Sequence, residues 1–294
     1  MTPLVTKLNT GASIPLLGLG TFDASPQETI DAVAHALKIG YRHIDAAYYY
    51  GNEKEVGEGI RQSNVPRSEI YVTTKLWGDS HHPHQVRPAF ERSLKDLGLD
   101  YLDLYLMHWP VAIESGGTVD NGTIDYSVGF LETWAAMEKL LDTGKVKAIG
   151  VSNFSIRNLK KLLSVANVCP AVNQIEAHPY LTNSKLIAFA KEKGIHTTAY
   201  CPLGSVRSGE LRAHPKIVQV AQKHDTQPAT ILISWAVQRG TSTIPKSASL
   251  ARIESNFKIV ELTPGDMTVL DSISTEKTLR TCGPYWGADV FSEA

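Results

Sequence analysis

Strand-like and helix-like segments alternate along almost the whole of this 294-residue chain. A short hairpin with its turn at Thr10-Gly11 comes first, and eight short apolar runs follow, beginning near Leu17. Nearly every run is followed by a segment with helical periodicity, and glycines that end helices, such as Gly40 and Gly98, separate the segments. Strands joined by helical crossovers lie parallel in one sheet. The alternation therefore predicts an α/β fold built on eight parallel strands.

The same patterns predict where each element lies. After the strand near Leu17, the predicted strands are 41–45, 70–75, 102–107, 146–151, 171–176, 195–200 and 241–244. The predicted helices are 26–39, 53–62, 85–97, 129–143, 155–165, 183–193, 215–224, 228–238, 250–257 and 264–274. Long polar connections are expected at 110–129 and 202–214, each leaving the carboxyl end of a strand, where loops shape active sites.

Two architectures accommodate such a sheet. A doubly wound dinucleotide-binding sheet carries a Gly-x-Gly-x-x-Gly turn after its first strand. The segment Gly18–Asp23 reads GLGTFD, which lacks the third glycine and does not run directly into a helix. Eight units without a linker or a change of composition suit a closed barrel better. We therefore predict a (β/α)8 TIM barrel with an N-terminal β-hairpin, in which residues 1–294 form a single domain.

Composition and charge narrow the class of protein. A formal net charge of -1 provides no electrostatic footprint for nucleic acid or for an anionic membrane. The three cysteines, Cys169, Cys201 and Cys282, are widely spaced and odd in number, which favours a reducing compartment. The N-terminal segment lacks a signal-peptide core, and no apolar run is long enough to span a membrane. We therefore expect a cytoplasmic protein whose partner is a small molecule.

Four polar residues with acid–base chemistry sit at or just past the ends of predicted strands: Asp45, Tyr50, Lys75 and His108. In a barrel of parallel strands such residues gather at the C-terminal rim, where catalytic groups lie. Taken singly, each has an ordinary structural interpretation, as a helix cap, a packed ring, a solvated cation or a core histidine. A carboxylate, a phenol, an ammonium group and an imidazole together can move protons, so an enzyme is the first hypothesis.

Seven sequence blocks connect these residues to a known family. In chain order they read HIDAAYYYGNEKEVG, TTKLW, LDLYLMHWP, IGVSNF, PAVNQIEAHPYL, AYCPLGS and IPKSASLARIESNF. Their order and spacing resemble the aldo-keto reductase superfamily, especially its aldose/xylose/aldehyde reductase branch, from about Gly18 to Asn256. The resemblance implies a (β/α)8 barrel and NAD(P)H-dependent carbonyl reduction. It also implies a catalytic tetrad of Asp45, Tyr50, Lys75 and His108.

The chemistry of the four side chains agrees with that implication. Carbonyl reduction needs a hydride on carbon and a proton on oxygen, and Tyr50 can donate the proton. We expect the ammonium group of Lys75 to lower the pKa of the phenol, and Asp45 to keep Lys75 charged. His108 can hydrogen-bond the carbonyl oxygen and orient the substrate.

The resemblance also implies how a dinucleotide is held without a glycine-rich turn. Ser152, Asn153 and Gln174 would bind the nicotinamide carboxamide, and Tyr200 would stack on the ring. The other implied contacts are Leu203, Ser205, Lys246, Ser247, Arg252 and Asn256. We predict that Pro245-Lys246-Ser247 begins a helical segment. The cations of Lys246 and Arg252 in that segment favour the 2′-phosphate of NADPH. Ser255 stands where some relatives have a glutamate near the adenine, so NADH stays open as a weaker alternative.

Aromatic residues predict the kind of substrate. Phe22, Tyr49, Trp77 and Trp109 follow the first four strands, and Tyr285 and Trp286 in the tail can close the pocket. Such a pocket suits aldehydes with apolar or aromatic groups, although one or two of these rings are expected simply to pack at the rim. Phe22 and Tyr49 differ from the residues of aldose and pentose reductases, which favours a broad aldehyde and ketone reductase.

Other functions stay open at this point. They are a polyol- or sugar-type reductase or dehydrogenase acting on glyceraldehyde, glycerol or xylose, and a non-catalytic NADPH-binding relative. A metal-dependent hydrolase is disfavoured because no ligand cluster follows the strands. His81, His82 and His84 lack accompanying acidic or cysteine ligands, so we predict no metal. Either a monomer or a homodimer is compatible with the sequence.

Overall fold

Eight parallel strands form the centre of the protein in this computed structural model, which describes residues 4–284, 286–287 and 290–291. Each strand pairs with its neighbours in the chain, in the order β3 to β10. The barrel strands are β3 (Leu19–Gly20), β4 (His43–Asp45), β5 (Tyr71–Leu76), β6 (Leu104–Met107), β7 (Ile149–Ser152), β8 (Val172–Glu176), β9 (His196–Tyr200) and β10 (Ser242–Thr243). Parallel bridges from Leu17 to Thr243 and from Gly20 to Lys246 close the sheet into a barrel. The predicted (β/α)8 architecture is confirmed.

The N-terminal hairpin covers the bottom of the barrel. Strands β1 (Val5–Lys7) and β2 (Ser13–Pro15) are antiparallel, with Thr6 opposite Ile14. Gly11 adopts a φ of 82° in the turn, a left-handed conformation that glycine reaches without a steric penalty. Ile14 is fully buried in a cluster with residues from β5, β6 and β8. The hairpin therefore seals the end of the barrel opposite to the strand carboxyl ends.

Helices surround the sheet, and their caps follow from the sequence. They are α1 (Pro26–Ile39), α2 (Glu53–Ser63), α3 (Pro83–Leu97), α4 (Phe130–Glu138), α5 (Ile156–Leu163), α6 (Ser184–Glu192), α7 (Ser208–Arg212), α8 (Pro215–Lys223), α9 (Pro228–Gln238), α10 (Leu250–Asn256), α11 (Pro264–Asp271) and α12 (Ile273–Glu276). In α1 the Ser25 N–H donates to Glu28 at 3.0 Å, and Gly40 ends the helix in the left-handed region. Among the described residues, none of the helices has the length and apolarity needed to span a membrane.

The main core lies between the sheet and the helices on its outer face. It contains fully buried side chains such as Val33 and Leu37 from α1, Ile44 from β4, and Phe90 from α3. Each such side chain contributes about 1.5 to 3 kcal/mol through removal from water. Because alternate residues of a strand point to opposite faces, Ile44 packs outward while His43 and Asp45 point into the barrel. The same pattern that builds the core therefore places polar groups inside.

A helix and a loop that the sequence predicts on the outside of the barrel differ from the structure. The helix expected over 129–143 ends at Glu138, and the chain continues as a 3-10 turn at Leu141–Thr143 before the left-handed Gly144. The loop expected over 202–214 contains a 3-10 turn and α7, because Leu211 is fully buried against α8 and α9. The large apolar residues of this otherwise polar segment are Leu203, Val206 and Leu211, of which Val206 is exposed, so the sequence pattern did not indicate that Leu211 is the anchor.

Replacing Asp266 by asparagine is expected to lower the free energy of unfolding by about 1 to 2 kcal/mol at neutral pH. Asp266 caps α11 through the Thr263 N–H at 3.0 Å and joins it to α8 through Lys223 at 2.8 Å and His224 at 2.9 Å. Burial acts to raise the pKa of Asp266, but these bonds outweigh it and hold the pKa well below its usual range.

The stabilisation by Asp266 should depend on pH in one direction. Since the pKa is lower in the folded chain than in the unfolded chain, the contribution is complete above about pH 4 and is lost progressively as the pH falls further. Urea unfolding of the wild type and of Asp266→Asn at several pH values measures this. A stability difference that stays constant from neutral to strongly acidic pH would contradict the assignment.

Candidate active site

The four acid–base residues meet at the C-terminal rim of the barrel. Asp45 ends β4, Lys75 lies near the end of β5, His108 follows β6, and Tyr50 lies in a 3-10 turn after β4. The Lys75 ammonium donates to Asp45 Oδ1 at 2.5 Å, to the carbonyl oxygen of Ala46 at 2.9 Å and to the Tyr50 hydroxyl at 3.4 Å. An ammonium group has three donors, so all of them are used. The lysine is thereby aimed at the phenol.

The ion pair at the centre of this arrangement is buried. The exposed fraction of the side chain is 0% for Lys75 and 1% for Asp45. Burial lowers the pKa of Lys75, and the Asp45 carboxylate opposes that shift. The second oxygen of Asp45 accepts from Gln174 Nε2 at 2.7 Å. Both carboxylate oxygens are therefore engaged, as a buried charge requires.

Tyr50 is a neutral phenol in this environment. Burial raises its pKa well above the usual value, and the nearby negative charge of Asp45 acts in the same direction. This is the reverse of the shift expected from the sequence, because burial of the phenol, and then the charge of Asp45, favour its protonated form. A protonated hydroxyl in contact with a cation can give up a proton to an oxygen that becomes negative.

His108 stands on the other side of the phenol. Its ring lies edge-to-face with Tyr50 at 5.9 Å and with Trp77 at 5.3 Å between centroids. Burial, and then the charge of Lys75, keep the pKa of His108 well below its ordinary value, so the ring is neutral. Within the part of the chain that the structure describes, His108 Nδ1 has no hydrogen-bond partner. A neutral imidazole can donate one hydrogen bond to a carbonyl oxygen.

Aromatic side chains form a wall beside these groups. Tyr49 stacks on Trp77 at 3.9 Å, and Trp286 packs edge-to-face against Trp77 and Trp109 at 6.1 and 5.6 Å. Phe22 is 52% exposed and lies 5.1 Å from the ring of Tyr50. The structure therefore brings together the aromatic residues that the sequence indicated. Tyr285 lies outside the described residues.

The tail and the long loop after β6 hold each other in place. Trp286 Nε1 donates to the carbonyl oxygen of Thr118 at 2.6 Å, and Trp77 Nε1 donates to that of Gly117 at 3.0 Å. The aromatic wall is consequently built by segments distant in sequence, which include the turn after β4, the end of β5, the loop after β6, and the tail.

Polar residues in and just after β7, in β8 and at the end of β9 form a network next to the ion pair. Ser152 Oγ donates to the backbone oxygen of Gln174 at 2.8 Å, and Asn153 Nδ2 donates to that of His108 at 2.9 Å. The Tyr200 hydroxyl donates to Asn153 Oδ1 at 2.7 Å. Asn153 has a φ of 64°, an uncommon conformation of the kind found at functional sites.

The basic residues expected to meet a phosphate lie in and after the loop that follows β10. Lys246 is exposed, and its ammonium donates to the carbonyl oxygen of Asp23 at 2.5 Å. The prediction that Pro245-Lys246-Ser247 begins a helix is wrong, because Ser249 caps α10 and the helix starts at Leu250. Arg252 is exposed on the first turn of α10, while Asn256 is buried on its last turn.

The remaining two predicted contacts lie in the segment after β9. Leu203 packs against the cluster formed by α8, α9 and α11. Ser205 has a φ of 47°, and with Gly204 at 87° it reverses the chain before α7. Both residues therefore lie in the segment that leaves the carboxyl end of β9.

Glu176 is a buried acidic residue at the rim whose contacts the sequence did not reveal. It ends β8, has no exposed surface, and accepts from the backbone N–H groups of Thr281 at 2.8 Å and Cys282 at 2.9 Å. It also accepts from His178 Nε2 at 2.8 Å. Burial opposes ionisation, but these bonds together keep the pKa of Glu176 below its usual value. In the sequence, Glu176 could have been noticed as an acidic residue at the end of a predicted buried strand.

The other histidines have structural surroundings. His43 is buried inside the barrel and hydrogen-bonds Thr73 at 3.2 Å, as its position on the face of Asp45 predicts. His82 pairs with Asp125 at 2.8 Å, and burial lowers the pKa of His81 to about 3. Over the described residues, no group of three or more histidine, cysteine or acidic side chains is arranged to hold a metal ion.

The opposite end of the barrel has a hollow of about 410 Å³, whose lining includes ion-paired side chains. Its charged residues neutralise their neighbours: Lys147 pairs with Asp103 at 3.0 Å, and Arg42 with Glu69 at 3.3 Å. Proton-transfer groups with strongly shifted pKa values and an adjacent aromatic wall occur together at the C-terminal rim. That rim is therefore the candidate active site.

A family model described as the aldo/keto reductase family matches residues 16–275, which include all eight barrel strands and the four residues at the rim. The chain belongs to this family. It is an aldo-keto reductase, an oxidoreductase that acts on carbonyl groups.

Individual relatives are similar over nearly their whole length. Aldehyde reductase YPR1 of Saccharomyces cerevisiae is 47% identical over 298 residues, covering 96% of this aldo-keto reductase and 95% of the relative. A glycerol 2-dehydrogenase (NADP(+)) of the same yeast is 46% identical, with the same coverage of 96% and 95%. The solved aldose reductase of Schistosoma japonicum has a TM-score of 0.88 at 41% identity, covering 96% of this chain and 94% of its own.

Proposed function

We propose that this aldo-keto reductase reduces aldehydes, and some ketones, to alcohols, with NADPH as the hydride donor and Tyr50 as the proton donor. The observation that supports this most directly is the buried Lys75 ammonium, which lies between the Asp45 carboxylate and the Tyr50 hydroxyl, 3.4 Å from the latter. An exposed lysine would not be held by three acceptors. An ion pair that served only the fold would not need a contact with the Tyr50 hydroxyl.

The four residues divide the work as follows. His108, neutral and beside the aromatic wall, donates a hydrogen bond to the substrate oxygen and sets its angle. Bound NADPH supplies a hydride to the carbonyl carbon. As the oxygen becomes negative, Tyr50 gives it the phenolic proton, and the C=O group becomes a CH–OH group. Lys75 stabilises the phenolate that results, and Asp45 keeps Lys75 charged and oriented.

The residues at the rim fit a phosphorylated dinucleotide. Ser152, Asn153 and Gln174 present hydroxyl and amide groups beside the ion pair, and Tyr200 offers an aromatic face. The exposed cations of Lys246 and Arg252, with Ser247 between them, suit the 2′-phosphate, since charge-assisted hydrogen bonds to phosphate are strong. The other contacts in this proposal are Leu203, Ser205 and Asn256. NADH, lacking that phosphate, is the weaker cofactor.

The pocket suits carbonyl compounds with an apolar or aromatic group. Tyr49 and Trp77 present a stacked aromatic surface next to His108, and Trp286 completes it from the tail. A polyol or short sugar would leave most of this surface without a partner, because its hydroxyl groups need polar contacts. Because one yeast relative is named a glycerol 2-dehydrogenase, the glycerol dehydrogenase reaction is the alternative function for this chain.

An assay of aromatic, aliphatic and sugar aldehydes with NADPH and NADH side by side tests the proposal. We expect the highest kcat/KM for aromatic aldehydes with NADPH. In Lys246→Met the dissociation constant for NADPH should rise about 10- to 100-fold, because a charge-assisted hydrogen bond is lost, while that for NADH stays unchanged.

Lys258→Met is the matched control, since Lys258 is exposed just beyond α10 and should leave both dissociation constants unaltered. A strong preference of the wild type for NADH, or an equal effect of Lys246→Met on both cofactors, would overturn the assignment of the 2′-phosphate site. Glycerol or sugar turnover exceeding that of every aromatic aldehyde would favour the polyol reaction.

We further propose that residues 1–294 act as one cytoplasmic domain, as a monomer or a homodimer.

A further inference from the structure

Two of the three cysteines lie side by side at the barrel rim. Cys201 follows β9 and Cys282 lies in the tail beyond α12, 81 residues later, yet their Sγ atoms are 3.4 Å apart. A disulfide has an S–S length of about 2.05 Å, so the sulfurs need to approach each other by about 1.4 Å. We expect a small rotation of the two side chains to bring the sulfurs to bonding distance.

Both cysteines are held by the backbone around them. The Cys282 N–H donates to Glu176 at 2.9 Å, and Thr281 is bonded to the same carboxylate. The carbonyl oxygen of Cys201 accepts from the Gly204 N–H at 2.9 Å, in a turn where Cys201 has a φ of 48°. The buried Glu176 therefore brings the tail cysteine to the rim cysteine and keeps it there.

The two thiols are chemically different. A hydrogen bond from the Cys201 thiol lowers the pKa of Cys282, whereas the same bond and burial raise the pKa of Cys201. Since the thiolate is the nucleophile, Cys282 is the sulfur that attacks first. Cys201 then lies where it can attack a mixed disulfide formed on Cys282.

We propose that Cys201 and Cys282 form a dithiol site that closes to an intramolecular disulfide on reaction with a low-molecular-weight disulfide. The Cys282 thiolate attacks one sulfur of the reagent, forms a mixed disulfide and releases one thiol. The Cys201 sulfur, after losing its proton, attacks Cys282 and releases the second thiol. Two protein thiols are oxidised and one disulfide is reduced to two thiols, so atoms and electrons balance.

Closure would join two segments that border the site. Cys201 starts the segment that contains Leu203 and Ser205, and Cys282 starts the tail that carries Trp286. A bond between them restricts both segments, and steps that depend on loop opening often limit kcat. This consequence, unlike the chemistry of the bond, rests on the proposed function of the rim as the site for NADPH and carbonyl substrates.

Treatment with oxidised glutathione, followed by intact-mass analysis, tests the bond. The wild type should lose two of its three titratable thiols with no lasting adduct, and peptide mapping should join Cys201 to Cys282. Cys201→Ser should keep a glutathione adduct on Cys282, because no second sulfur displaces it. Cys282→Ser should form neither a glutathione adduct at position 282 nor the intramolecular disulfide. Cys169→Ser is the matched control and should behave like the wild type, since the Cys169 sulfur lies next to the Lys193 carbonyl oxygen instead.

A wild-type protein that keeps all its thiols, carries a stable adduct, or links Cys169 would overturn the proposal. For the consequence, kcat of the oxidised and reduced wild type is compared with an aromatic aldehyde. We expect a change of about threefold or more that dithiothreitol reverses. Unchanged kinetic constants after complete closure would refute the coupling to the site. An inactive protein in both redox states whose bond still forms would instead contradict the proposed function.

Discussion

Replacing Tyr50 by phenylalanine is expected to lower kcat for aldehyde reduction by about 10²- to 10⁴-fold, the range that one positioned proton donor contributes. The ring stays in place against Phe22 and His108, whereas the hydroxyl 3.4 Å from Lys75 is lost. The dissociation constant for NADPH should change little, because the phenol acts on the substrate oxygen. Steady-state assays with an aromatic aldehyde and a fluorescence titration of NADPH measure the two quantities separately.

Tyr48→Phe supplies the matched control, because Tyr48 lies on the same 3-10 turn as Tyr50. Its ring faces the guanidinium group of Arg92 at 3.8 Å, and phenylalanine keeps that ring. We expect this variant to keep the activity of the wild type. Full activity in Tyr50→Phe would show that another group supplies the proton, and equal losses in both variants would show that the effect is on the fold.

The sequence predicts much of this site because strand periodicity and strand ends are readable. Asp45 and Lys75 each lie at the end of a run that alternates inward and outward, so both were expected at the rim. The register between the strands is a different matter. In the structure Asp45 pairs with Thr73, so Lys75 projects two residues further along the same face, where its side chain can reach both Asp45 and Tyr50. Local sequence does not contain that offset.

Contacts made by the tail could not be predicted for a related reason. The partners of Trp286 and Thr281 are a loop carbonyl at Thr118 and the carboxylate of Glu176, both more than a hundred residues away. Neither residue type specifies its partner, and the tail has no periodic pattern. The pKa of Tyr50 was expected to fall and instead rises, because burial of the phenol and the charge of Asp45 become evident only once the chain is folded.

Removing one charge of the buried Asp45–Lys75 pair is expected to lower the free energy of unfolding by about 3 to 5 kcal/mol, because the remaining charge is left without a partner in the barrel. Asp45→Asn keeps an oxygen that can accept from Gln174, and Lys75→Met keeps most of the volume of the lysine stem. The double variant leaves no unpaired charge. It should therefore recover most of the lost stability, as measured by urea unfolding of all four proteins.

Among these four proteins, kcat should not recover in the double variant when the free energy of unfolding does. The double variant has no cation beside Tyr50, so nothing stabilises the phenolate that proton donation leaves behind, and its kcat should stay as low as that of Lys75→Met. The exposed pair of Arg87 and Glu91 on α3 is the control, where neutralising both residues should change stability by less than about 1 kcal/mol and leave kcat unaltered. Recovery of kcat together with stability would mean that the buried pair serves only the fold. Recovery of stability without recovery of kcat separates the two roles, because the double variant then folds stably but lacks the cation that the mechanism assigns to Lys75.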